Sequence, residues 1–242
     1  VNPSGFTLFD GPSCLDGHRI VAIATLNTRN PKTGPMVQTW IMRADVAPHV
    51  AIKTGADASV CGECIHRPRL GGSCYVRVHQ APLQVWKAWK RGRYPYARHE
   101  AAAELGRGRM VRLGAYGDPA AVPAYIWETL TLHASGHTGY THQWASPDIR
   151  DGQRRRITQL CMASVDTPTE ADMARSIGMR TFRVRTEREP LNPREFTCPA
   201  SDEAGHKRTC ATCGACNGSA KPTAASVAII VHGRGARAFS QT

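Results

Sequence analysis

A chain of 242 residues, 41% of them hydrophobic, can bury a core without disulfide staples, as one α/β domain or as two small ones. Its net charge of +12 favours a polyanionic partner, but charge speaks to association rather than to reaction. No run approaches the roughly 18 apolar residues of a membrane span, and Val1 to Gly5 lacks a charged stretch leading into an apolar one, so a soluble, cytoplasmic chain with no membrane partner is expected.

In chain order, Arg19 to Leu26 and Val37 to Met42 read as strands, and Gly55 to Ser73 is an irregular, Gly-rich segment. Residues 53 to 112 hold 12 Lys/Arg against four Asp/Glu. Within them, segment 86–98 interleaves cations with Trp86, Trp89, Tyr94 and Tyr96, a composition that suits phosphates and unpaired bases. The competing reading is an amphipathic helix that buries its tryptophans and solvates its cations.

Arg109 to Gly114 reads as a strand, and Val122, Tyr125, Ile126, Thr129 and Leu130 recur at helical spacing after it. Two more strands are expected at His137 to Trp144 and Ile157 to Val165. A helix follows at Pro168 to Ile177, with Met173 and Ile177 on one face and Gly178 as its stop. Strands at Arg180 to Thr186 and Ser226 to Val231 flank a second irregular segment, Glu187 to Ala225.

Crossovers of this length make parallel strands, with helices packed over them. The expected fold is α/β, a complete or partial βα barrel, with a doubly wound sheet as the alternative. All 242 residues are expected in one domain, carrying a cysteine loop at 55–79 and a C-terminal cysteine segment at 187–225. Residues just past the strand C-termini should face a site: Tyr116, Gly117 and Asp118; His142 and Trp144; Asp166; His232 and Gly233. Asp118, His142 and Asp166 are the catalytic candidates, and Tyr116 and Gly117 the cofactor contacts. For each singly, helix capping or another structural role competes.

Seven of the nine cysteines fall in two groups. An odd count at CxxC spacing points to a reducing compartment and to metal. The first group is Cys61, Cys64 and Cys74. Three thiolates leave a coordination position open, whereas a structural zinc site is closed, with His66 or His79 the fourth ligand here. The second group is Cys198, Cys210, Cys213 and Cys216, a one-plus-three arrangement resembling the wrap of a cubane iron–sulfur cluster; zinc takes the same ligands. His206, Lys207 and Arg208 would offset its charge. Cys14 and Cys161 do not read as ligands.

The CxxC…Cys-Tyr loop, Leu113 to Pro119, Gly139 to His142, Ala163 to Asp166 and the terminal cysteine group together resemble uncharacterised phage-encoded proteins. Those in turn look like distant relatives of the radical S-adenosylmethionine (SAM) enzymes. The resemblance spans roughly residues 37 to 239 and implies a βα barrel. It implies a catalytic [4Fe-4S] cluster on Cys61, Cys64 and Cys74 that binds SAM at its open iron. It also implies an auxiliary 4Fe-4S cluster on Cys198, Cys210, Cys213 and Cys216, and, as compartment, the cytoplasm of an infected bacterial host. The spacing departs from the superfamily's usual one: two residues and then nine separate the first three cysteines here. No Gly-Gly-Glu motif is present.

Three functions follow: a radical-SAM-like iron–sulfur enzyme acting through a small-molecule cofactor, a zinc-stabilised basic protein that binds nucleic acid, and a phage structural or assembly protein braced by metal.

Overall fold

The structure is a computed structural model and describes residues 3–28, 30–205, 208–219, 221, 223–233 and 236–239. His206 and Lys207, proposed as charge compensation, lie outside the described residues. The chain is α/β. Three strands open it, β1 (Gly5–Pro12), β2 (Arg19–Thr25) and β3 (Val37–Arg43), paired antiparallel in that order. Along β2 the buried side chains alternate between two cores, Ile20, Ala22 and Ala24 in one and Val21 and Ile23 in the other, because helices cover both faces.

A long crossover then carries α1 (Pro48–Thr54), α2 (Ala58–Cys61), α3 (Ala81–Lys90) and α4 (His99–Gly106) before β4 (Met110–Tyr116) pairs parallel to β3. After α5 (Ala124–Thr131), β5 (Gly136–Thr138) extends the first sheet in parallel. One residue, Gly139, separates it from β6 (Tyr140–Thr141), which opens the second sheet. A Cβ on Gly139 would stand 2.8 Å from the sulfur of Cys161, so only glycine lets the strand pass there. The second sheet continues through α6 (Asp151–Leu160), β7 (Met162–Val165), α7 (Pro168–Ser176) and β8 (Thr181–Arg185). β9 (Glu195–Thr197), α8 (Cys210–Cys213), β10 (Ser226–Ile230) and α9 (Ala236–Phe239) complete the chain. The strand order is β6-β7-β8-β10-β9, all parallel. β10 therefore sits inside the sheet, so the strand after the second cysteine group is shared with the strands before it.

Among the described residues no pairing joins the outer strands β1 and β9, so the sheets do not close into a complete barrel. Two expected strands need correction: His137 to Trp144 is split at Gly139 into β5 and β6, which belong to different sheets, and the chain bends away beyond Thr141. Ile157 to Leu160 is the last turn of α6, and the strand begins only at Met162, because Ile157 and Leu160 are spaced for one helix face. α7 has a capping box between Thr167 and Glu170, but its buried face is Ala171 and Ala174; Met173 and Ile177 are exposed. Close packing against β7 and β8 takes the small side chains.

The basic aromatic segment begins as helix, in α3. Trp86 donates its indole N–H to the Arg43 carbonyl at 2.9 Å, and Trp86, Trp89 and Tyr94 pack on a core that includes Val21, Met42 and Tyr116. Lys90 lies over both indole rings. The tryptophans are thus half-buried in packing, while Tyr96 is exposed. No helix of the described residues is long and apolar enough to cross a membrane.

Candidate metal centre and strand-end cavity

The first cysteine loop leaves α2 at Cys61 and turns at Gly62, whose φ of 55° is left-handed. A Cβ at Gly62 would strike the Gln143 amide at 2.3 Å, so this glycine allows a side chain from beyond β6 to press against the backbone. Gln143 donates from Nε2 to the Cys61 carbonyl at 3.0 Å and accepts from the Glu63 amide. The Asp118 amide, past β4, donates to the Val60 carbonyl at 2.6 Å. His66 Nε2 lies 2.9 Å from the carboxylate of Asp166, past β7, and its Nδ1 lies 2.7 Å from the Ser73 hydroxyl. The ends of three strands, β4, β6 and β7, therefore grip the loop. Arg67 organises it from within, bidentate to buried Asp57 and donating to the Gly62 and Gly55 carbonyls.

The second group is bound to the fold as firmly. The Cys198 amide donates to the Ala228 carbonyl of β10, and the Cys216 carbonyl accepts from the Gly139 amide. The amides of Cys210 and Ala211 donate to the Lys32 and Thr33 carbonyls. α8 starts with a capping box between Thr209 and Thr212 and ends at left-handed Gly214. Arg180 reaches across from the start of β8, donating to the carbonyls of Ala215, Gly218 and Ala225 and to the Asn217 side chain.

A cavity of about 360 Å³ opens at the C-terminal ends of the parallel strands. Cys61, Cys64 and Cys74 line it, and so do Cys198 and Cys210, so both cysteine groups reach one space. Among the strand-end candidates, Tyr116, Gly117, Asp118, His142 and His232 line it as well. Asp166 is tied to it through His66. Trp144 instead donates to the Ser164 carbonyl and packs on the α7 core. Gly233 sits beside Tyr75.

Burial pushes the Cys61 thiol well above its ordinary range and Cys64 up to about 12, and the neighbouring Asp118 carboxylate adds to both shifts. Burial raises Cys198 and Cys210 too, but there Lys32 pulls the other way, joined by Arg112 at Cys210. Cys216 is raised to about 12, first by burial; its hydrogen bond with Tyr140 opposes the shift. Each group's thiols lie within electrostatic reach of one another. Among the described residues no three of His, Cys, Asp and Glu converge as a single metal ion requires.

Asp118 accepts from the amides of Ala120 at 2.9 Å and His142 at 2.7 Å, so its carboxylate joins two strand ends. Burial raises its pKa to about 6 against those donors. His142 is lowered to about 4 by burial, then by nearby His66, and its Nε2 is buried with no partner among the described residues. The Tyr116 hydroxyl is likewise unpartnered. Gly117 is required by packing, since a Cβ there would meet Ile41 at 2.7 Å. Both nitrogens of His66 are already engaged, so in this arrangement it does not close a Cys3His site.

Sequence reasoning missed Arg67, Arg180, Gln143 and Ser73. Their roles come from contacts with loop backbone, which leave no periodic signal. No family model matches the chain, no curated protein matches it, and no solved structure matches it.

Proposed function

We propose that the chain is an iron–sulfur enzyme, with one cluster on Cys61, Cys64 and Cys74 and a second on Cys198, Cys210, Cys213 and Cys216. The carrying observation is the single cavity at the parallel strand ends that thiols of both groups line together with Asp118 and His142. The two sheets, joined across Gly139, act in this reading as an open βα barrel whose mouth holds the site.

The donor sets fit such a group. Each thiolate of a cubane binds a different iron, so its ligands spread more widely than those of a single ion, and Cys61, Cys64 and Cys74 lie within electrostatic reach of one another. The first group leaves one position for a non-protein ligand, and His66 is held away from it by Ser73 and Asp166. When bound, a cluster with an open iron supplies one-electron reduction to a ligand such as SAM; the protein positions and shields.

The remaining roles belong to the chain. Asp118 fixes the backbones after β4 and β6, setting the distance between the loop and the strand ends. His142 offers an unpaired ring nitrogen, neutral near pH 7, to a ligand in the cavity. Tyr116 offers a hydroxyl beside it. The test is anaerobic iron and sulfide analysis of Cys61→Ser and Cys213→Ser. Each should lose the iron of one cluster, about four atoms, and Cys61→Ser should keep the second cluster. Iron content unaffected by either change would remove both residues from the ligand sets.

A further inference from the structure

A second cavity, of about 580 Å³, lies outside the first and shares Asn30, Tyr75, Val76, Arg112 and Ala115 with it. Its size is that of a small-molecule site. At the shared wall Arg112 donates to the Tyr75 hydroxyl at 2.8 Å. Among the described residues no carboxylate lies within ion-pair distance of Arg112, and no Asp or Glu lines the cavity. Arg77 adds a second, exposed cation.

The rest of the lining is amide and aromatic. Asn27, Gln80 and Gln84 are exposed to the cavity, and no side-chain hydrogen bond occupies their amides among the described residues. An amide presents a donor beside an acceptor, the pattern that matches the edge of a nucleobase. Trp40 spends its indole N–H on the Thr25 hydroxyl at 2.9 Å, and its ring lines the same space as that of Tyr94. Rings of this kind stack on bases. Gln80 and Gln84 belong to the start of α3, so the basic helix borders the cavity with its first turn while its half-buried tryptophans pack on the core.

We infer that this outer cavity binds a nucleotide unit, its base against the amides and rings and its phosphate at Arg112 and Arg77. The unit is either a free nucleotide or one residue of a single strand. That it is the substrate, passing between Tyr75 and Arg112 toward the cysteines, rests on the iron–sulfur reading; its binding does not.

The test uses the full chain prepared anaerobically, with iron measured on every sample. The probes are adenosine monophosphate, a fluorescein-labelled mixed-sequence single-stranded DNA of ten nucleotides, and a poly-glutamate peptide of equal charge. Binding of the mononucleotide marks a free nucleotide as ligand, and binding of the oligonucleotide alone marks a strand. Arg112→Gln and Gln84→Ala should each weaken binding roughly tenfold, Gln84→Ala with all its iron retained. Lys87→Gln, an exposed cation of α3 outside the cavity, should change it less than twofold. Three results would overturn the inference: no nucleotide bound by iron-replete protein, equal binding of poly-glutamate, or a loss in Lys87→Gln equal to that in Arg112→Gln. If Arg112→Gln sheds iron and Gln84→Ala binds normally, Arg112 serves the Cys210 thiolate, and the inference is equally overturned. Protein without iron that still binds nucleotide would sink the iron–sulfur reading alone.

Discussion

The two cysteine regions are built alike and charged differently. In each, one arginine gathers the loop by its carbonyls, Arg67 for the first and Arg180 for the second. Arg67 is neutralised by Asp57, which is 1% exposed. Among the described residues Arg180 has no carboxylate partner, and its acceptors are carbonyls and the Asn217 amide. Around the first group the further charges are acidic, Asp118 and Asp166; around the second, Lys32 and Arg112 are basic. A buried thiolate set needs positive charge. The second group draws part of it from the protein, whereas the first depends on what it binds.

That contrast breaks most sharply at Asp57. Asp57→Asn leaves the Arg67 charge in place without its partner, which for a buried pair costs about 3–5 kcal/mol. Urea denaturation should register that loss, and iron should fall at the first group while the second keeps its share. Equal loss from both would mean that the regions are not separately organised.

Between the regions stand two groups with opposed proton linkage. His142, lowered to about 4 from 6.5, lets the folded state bind fewer protons than the unfolded chain between those values. Its contribution is full above pH 6.5 and is lost as pH falls through 4. Asp118, raised to about 6 from 3.8, does the reverse, contributing below 3.8 and losing that contribution as pH rises through 6. Each shift corresponds to about 3 kcal/mol, so in metal-free protein the slopes of these two groups should nearly cancel from pH 4 to 6. His142→Gln should unmask the Asp118 slope, stability falling as pH rises. A flat profile in that variant would show that Asp118 titrates normally.

Arg180→Lys tests the second region more gently. Five hydrogen bonds reduce to at most three in a different geometry, for a loss of about 2 kcal/mol and partial release of metal from the second group alone. Cys14→Ser should be the smallest change, within about 0.5 kcal/mol and with metal content unaltered.

Much of this organisation was legible in the chain. Cysteine spacing marked both groups, apolar runs marked β2, β3 and β10 because these strands are buried on both faces, and β4 showed through its alternation, Val111 and Leu113 buried between half-buried neighbours. β9 was missed at three residues, too short for a period, and β1 because Gly5, Asp10, Gly11 and Pro12 interrupt its pattern. α6 was not read as a helix, and its last turn was assigned to a strand, since a short stretch ending in apolar residues looks alike in helix and strand. At the site, the rule that strand ends face the cavity found Asp118 and His142. It could not find the pairing of Arg67 with Asp57 or the reach of Arg180 to Ala225, because those contacts depend on how two irregular loops fold back.

Anaerobic metal analysis of the whole protein with its absorption spectrum tests the central claim most directly. A brown protein with roughly eight irons per chain, two cubane clusters' worth, is expected. A colourless protein holding zinc in both groups would contradict it.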